Sequence, residues 1–216
     1  MIRNLLVIII AMLVITGCEQ QQPPKKDVYP WQVTVLPDGG SRVFGIEFDS
    51  TTLEQATDIL GNRYDEGLFE NSDGSLSLEV YFNEVTLGGI SGKFILTLNA
   101  DQGLLQSMKQ RARKPKRMDS GAYRYHLSQL DRQTIGAMTI SALGYIPYVN
   151  LDKELIEHRF GTPTRSIEVD KGKQHYLYPD KGLDLLLDED GKEFLQYVAP
   201  KYFQQLRAPL IRQYDS

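Results

Sequence analysis

Apolar positions in this chain follow a helical spacing in two places and a strict alternation downstream of each. In the first, Leu53, Ala56, Thr57 and Leu60 share one helical face. Thr51-Thr52-Leu53-Glu54 reads as a capping box ahead of them, and Gly61 supplies a left-handed stop. An offset of 100 brings Ile46, Phe48, Glu54, Ala56, Leu60 and Gly61 onto Ile146, Tyr148, Glu154, Ile156, Phe160 and Gly161. There Asp152 is placed to cap, Leu151 and Ile156 to form a hydrophobic staple, and Gly161 with Pro163 to end the helix. Helices of about nine residues do not persist alone in water, so both are expected to pack on a sheet.

The alternating segments supply that sheet. Ser75 to Phe82 and Lys93 to Asn99 place Phe94, Leu96 and Leu98 on one face; Gln174 to Tyr178 and Leu183 to Asp188 do the same with Leu183, Leu185 and Leu187. The offset has fallen to 89, which assigns about eleven extra residues to the Gly-rich stretch from Asn83 to Gly92. Strands are expected before each helix, at Trp31 to Val35, Arg42 to Phe48, Tyr123 to Leu127 and Ile135 to Tyr145. Asp190-Gly191 is expected to turn into a last strand or helix from Glu193 to Val198. The expected fold class is α+β: two tandem repeats, each a short helix packed on an antiparallel sheet. The first covers residues 28–117, with a basic linker, and the second residues 118–216.

The N-terminus has a different pattern. Met1 and Arg3 precede an apolar run from Leu5 to Ile15, shorter than the roughly 20 residues of a spanning helix, which reads as an export signal. Composition alters how its end is read, because the 216 residues contain a single Cys. That excludes a disulfide scaffold and a multi-Cys metal cluster. Val14-Ile15-Thr16-Gly17-Cys18 resembles the lipobox of bacterial lipoproteins. The resemblance implies removal of residues 1–17, a diacylglyceryl thioether and an acylated amino terminus on Cys18, and hence a membrane partner held through acyl chains. In lipoproteins of two-membrane bacteria an Asp after the Cys tends to retain the protein in the inner membrane. Glu19 stands there, so the expectation is the outer membrane, periplasmic face; a one-membrane host would place it on the outer face of the cytoplasmic membrane. Residues 18–27 are polar and Pro-containing, a tether whose nine residues from Glu19 to Asp27 span at most about 30 Å.

Asp152, Ile156, Phe160, Gly161 and Pro163, then Tyr176-Leu177-Tyr178 and the alternating run to Gly191, resemble the small outer-membrane-assembly lipoproteins of the BamE type. They also resemble the tandem repeat of the beta-lactamase inhibitor protein. Thr52, Ala56, Leu60 and Gly61 match in the first copy, but Arg63 stands where Pro is expected. The resemblance covers roughly Ile46 to Met108 and Ile146 to Val198 and implies a fold more than an activity.

Candidate chemistry is sparse. There is no Gly-x-Ser-x-Gly, and His126, His158 and His175 lack metal-ligand spacing. Asp188-Glu189-Asp190-Gly191 is an incomplete calcium series and reads as a turn. Glu54 and Glu154 sit in first helical turns, where capping and the helix dipole account for them. No catalytic residue, metal site or cofactor is expected. A net charge of -4 gives no global reason to bind nucleic acid. The run Lys109, Arg111, Arg113, Lys114, Lys116 and Arg117 reads as a solvated linker or as a contact for anionic lipid headgroups. Tyr residues concentrate in the second half, suited to core packing or to an interface on the sheet. The functional expectation is a noncatalytic, membrane-anchored module that binds an envelope protein; the alternatives are a binder of a small molecule or envelope glycan, and third an envelope hydrolase.

Overall fold

A computed structural model describes residues 28–214. The expected signal peptide, Cys18 and the tether lie outside these residues. The described chain is mixed α+β, with a three-stranded and a ten-stranded sheet. In chain order the elements are β1 (Val33–Val35), β2 (Ser41–Val43), β3 (Ile46–Glu47), α1 (Leu53–Leu60), β4 (Asp65–Glu70), β5 (Leu76–Leu87) and β6 (Ile90–Leu98). Next come α2 (Gln102–Arg111), β7 (Lys116–Arg117), β8 (Tyr123–Tyr125), α3 (Gln129–Thr134) and β9 (Ile140–Pro147). The rest is α4 (Lys153–Phe160), β10 (Arg165–Asp170), β11 (Lys173–Tyr178), β12 (Leu183–Asp188), β13 (Phe194–Val198) and α5 (Phe203–Tyr214).

The strands do not stay in separate sheets. They join in the order β10-β11-β12-β13-β9-β6-β5-β4-β8-β7. The junction is the antiparallel pairing of β13 with β9, from Leu195 opposite Tyr145 to Val198 opposite Ala142. Residues 117 and 118, the expected boundary between the two copies, both fall at the β7–β8 hairpin, inside the large sheet.

Both expected helices form, for the expected reasons. Thr52 caps α1, accepting from the Gln55 amide at 3.3 Å while the Gln55 side chain accepts from the Thr52 amide at 3.0 Å. The box thus closes one residue later than Thr51 and Glu54 suggest; Thr51 instead uses its hydroxyl to accept from the Glu47 amide at 2.9 Å. Asp152 caps α4 through the Leu155 amide at 2.7 Å, with Leu151 and Ile156 both buried as its staple. Gly61 and Gly161 follow at φ of 88° and 84°.

The extra residues of the first copy lengthen the hairpin of β5 and β6. β5 runs on to Leu87 and β6 starts at Ile90, around a two-residue turn with Gly88 at φ 56° and Gly89 at φ 82°. Ile135 to Ala137 is a 3-10 turn, so the strand expected from Ile135 begins only at Ile140. The segment from Glu193 resolves as strand β13. Strands β4 and β10 and helices α2, α3 and α5 carry weaker sequence signals: Gly103 interrupts α2, and Pro209 lies within α5.

One face of the large sheet holds the core. Leu53, Ala56 and Leu60 of α1, Leu105 and Met108 of α2, and Ile156 and Phe160 of α4 bury there with Leu78, Val80, Phe94, Leu96, Leu185 and Leu195. At its centre the Phe44 ring lies 4.9 Å from Phe94, 5.0 Å from Tyr145 and 6.3 Å from Tyr197. Phe44 has φ 54°, an uncommon backbone for a residue other than glycine, and its buried ring is what holds it there. Replacing Phe44 by Ala is expected to destabilise the chain by about 3–5 kcal/mol. Urea unfolding checks this: an unchanged midpoint would mean that the cluster does not tie the small sheet to the large one.

Candidate functional site

The other face of the large sheet is covered unevenly. Cross-strand register defines its rows. One row runs Gly67, Glu79, Thr97, Ala142 and Val198; the next runs Asp65, Tyr81, Ile95, Gly144, Gln196, Asp184 and Leu177. Helix α5 covers one end, where Phe203 buries against Ile167 and Leu177, with Leu206, Leu210 and Val198 alongside. Its cover stops at β13. Beyond it Ser77, Glu79, Tyr81, Ile95, Thr97 and Ala142 are half-buried, with no helix of the described residues packed on them.

Leu206 forms a wall of the groove where the cover stops. A depression of about 170 Å³ is lined there by Glu79, Ile95, Thr97, Ala142, Gly144, Phe194, Gln196 and Val198. The Phe194 ring lies over Gly144, where a Cβ would come within 2.7 Å of it. A second depression of about 310 Å³ shares Ala142, Val198 and Leu206 and extends to Asn99, Tyr202 and Gln205.

Next to the groove is an aromatic and polar patch. Glu79 accepts from the Ser77 hydroxyl at 2.8 Å and from the Tyr81 phenol in a short bond. Burial, then the carboxylate acceptor, pushes the Tyr81 phenol well above its ordinary range, so it stays a donor. The Arg124 guanidinium sits 5.9 Å from the Phe69 ring centroid and donates to the Glu66 carbonyl at 3.2 Å. Its Nε is buried and has no acceptor among the described residues. Gly67 makes room for it, since a Cβ there would lie 2.9 Å from that nitrogen. None of these residues stands out in the sequence; the signal is the polar phase of β5, Ser77-x-Glu79-x-Tyr81.

The basic run divides. Lys109 is held 2.5 Å from Glu70, whose other oxygen accepts from Tyr125 at 2.6 Å. Arg111 is held 2.6 Å from buried Asp131. Arg113, Lys114, Lys116 and Arg117 are exposed and make no ion pair with a described residue. His126 and His158 are exposed, whereas His175 lies 2.7 Å from Asp184. That contact orients the ring, and nucleophilic chemistry would need in addition a hydroxyl or thiol at its other nitrogen. Glu54 and Glu154 are exposed in the first turns of α1 and α4. Asp188 to Gly191 is a turn in which Asp188 pairs with Lys173 at 3.0 Å. No group of three or more His, Cys, Asp or Glu among the described residues could hold a metal ion. Tyr145, Tyr176, Tyr178 and Tyr197 are core residues; Tyr123, Tyr148 and Tyr202 are exposed. No helix of the described residues is long and apolar enough to cross a membrane.

No protein-family model, curated protein or solved structure matches the chain.

The Arg111–Asp131 pair gives the structure a pH dependence. Burial pushes the Asp131 carboxyl up, but Arg111 and the Ser128 hydroxyl outweigh it and leave it below its ordinary value. A depressed carboxyl stabilises the fold at neutral pH and loses that contribution as pH falls below the unfolded value of about 3.9. Asp131→Asn should cost about 1–3 kcal/mol at pH 7 and weaken the fall in melting temperature between pH 5 and pH 2.5. Parallel acid limbs for parent and variant would contradict this.

Proposed function

We propose that this chain is a lipid-anchored, noncatalytic interaction module of the cell envelope, which binds a protein partner on the uncovered part of its large sheet. The observation that carries the reading is the unequal cover of that face. Helix α5 closes it over β10 to β12 and leaves β5, β6 and β9 open beside the Leu206 groove. The open part carries Tyr81, Phe194 and Arg124, with Phe69 packed beside them, residue types that concentrate binding energy at protein interfaces.

Two tandem copies remain the reading of the architecture. In its support, α1 leads to β4, β5, β6 and later β9, while α4 leads to β10, β11, β12 and β13. The last strand of each series pairs antiparallel with that of the other. On this grouping residues 102–137, which supply α2, β7, β8 and α3, and strand β9 belong to the first copy, so its boundary with the second moves from 117/118 to after Pro147. Resemblance to BamE-type lipoproteins and to the beta-lactamase inhibitor protein supports an interaction role, and the Val14 to Cys18 motif supports anchorage at the periplasmic face of the outer membrane.

A protein partner fits better than a small ligand or glycan. Ligand sites are concave and mostly apolar. A depression of about 450 Å³ is instead lined mainly by polar residues, Asn62, Arg63, Asp65, Asn83 and Glu84, with a single aromatic ring, Tyr64.

Crosslinking in cells followed by purification of the lipoprotein should recover one recurrent protein, and Ala142→Arg, which fills the groove floor, should abolish that recovery without lowering the melting temperature. Equal recovery with Ala142→Arg would place the partner elsewhere. Labelled palmitate should enter the parent and not Cys18→Ser; equal incorporation would end the anchor reading.

A further inference from the structure

Four cations stand at the far edge of the large sheet with no ion pair to a described residue. Arg113 and Lys114 follow α2, and Lys116 and Arg117 form β7, the terminal strand. The six-residue basic run is therefore not uniform: Lys109 and Arg111 are neutralised by Glu70 and Asp131, and these four remain exposed. Asp119, in the hairpin turn beyond β7, is the acid adjacent to them in sequence. Two of the exposed large apolar side chains of the described residues lie on β8 and α3. Tyr123 pairs directly with Arg117 and is 41% exposed; Leu130 of α3, next to the Asp131 that holds Arg111, is 61% exposed. Cations without an acidic partner among the described residues, with an exposed ring paired beside Arg117, match an anionic bilayer surface, where the rings sit at headgroup level and each cation is attracted separately.

The start of the described chain lies apart from these cations. The Pro30 carbonyl, close to the start of the described chain on the tether side, accepts from the Tyr197 phenol of β13 at 2.7 Å. Strand β13 is six positions from β7 in the sheet. At roughly 4.8 Å per strand that is a separation of about 30 Å. The described chain begins beside the β5–β6 hairpin, where Val28 and Tyr29 lie against Gly88, and carries these cations at the β7 edge.

We propose that Arg113, Lys114, Lys116 and Arg117, with Tyr123, form a second membrane contact that binds anionic phospholipid headgroups. Resting on the anchored reading above, this contact adds to the acyl anchor and holds the β7 edge of the sheet at the bilayer. An edge-strand role alone, in which Lys and Arg only discourage pairing with another strand, predicts no lipid binding.

The test removes the anchor so that the two contacts are read separately. Residues 18–216 retain every described residue, and Cys18→Ser leaves them without acyl chains. This protein is sedimented with vesicles of 30% phosphatidylglycerol in phosphatidylcholine, and with phosphatidylcholine alone. Binding is expected to the anionic vesicles only and to fall away in 0.5 M KCl. Changing Arg113, Lys114, Lys116 and Arg117 together to Ser should weaken it about 100-fold or more, with the circular dichroism and melting temperature unchanged. Lys153→Ser with Lys171→Ser, two exposed cations elsewhere, should leave most of it. Failure of the parent to bind, or equal loss in the Lys153 and Lys171 variant, would overturn the proposal. Neither outcome touches the palmitate result, on which the anchor itself depends.

Discussion

The pairing of β9 with β13 is the constraint on which the rest of the molecule depends. Two series of strands could each have buried one face under a helix and stopped there. Instead their last strands hydrogen-bond to each other, so neither is left as an exposed edge in the middle of the chain. The aromatic cluster of Phe44, Phe94, Tyr145 and Tyr197 lies over this seam, drawing one ring from the small sheet and three from strands on either side of the join. Gly92 is shaped by the same cluster: a Cβ there would come within 2.5 Å of the Tyr145 ring. Because that ring needs the space, the residue opposite Pro147 cannot readily carry a side chain.

Joining the sheet makes one broad core face and one broad opposite face, and the described helices cover mainly the first. Helices α1, α2 and α4 and the small sheet all pack on the core side. Helix α5 is left to cover the other, and a helix of twelve residues is about 18 Å long, less than half the width of ten strands. The uncovered part then follows from arithmetic as much as from sequence. Its alternation of Ser77, Glu79 and Tyr81 with Leu78 and Val80 keeps the open side polar enough for water while leaving aromatic rings in reach of a partner.

Legibility in the sequence follows how local the controlling interaction is. Thr52, Asp152, Gly61 and Gly161 act within one turn of their helices, and both helices are readable from them. Strands with alternating Leu and Phe are equally readable, because the pattern is set by one buried face. The seam is not readable, since nothing in Tyr145 or Leu195 alone states that they stand opposite each other. Helix α5 is hidden because, among its described side chains, it buries Phe203 with partly covered neighbours against a face that the alternation marks as outward. The basic run is visible as six charges, but its division into two paired residues and four without an ion pair to a described residue depends on Glu70 and Asp131, which lie 39 and 20 residues from their partners. The open patch shares that difficulty: Arg124, Phe69 and Tyr81 come from three strands and meet only through register.

A site-specific photocrosslinker placed in living cells at Thr97 or Gln196, on the open part of the sheet, and at Glu157, on the exposed side of α4, tests the role of the uncovered face most directly. Adducts of one common mass from Thr97 and Gln196 and none from Glu157 are the expected result. Adducts confined to Glu157, or absent from all three positions in a folded and membrane-bound protein, would contradict it.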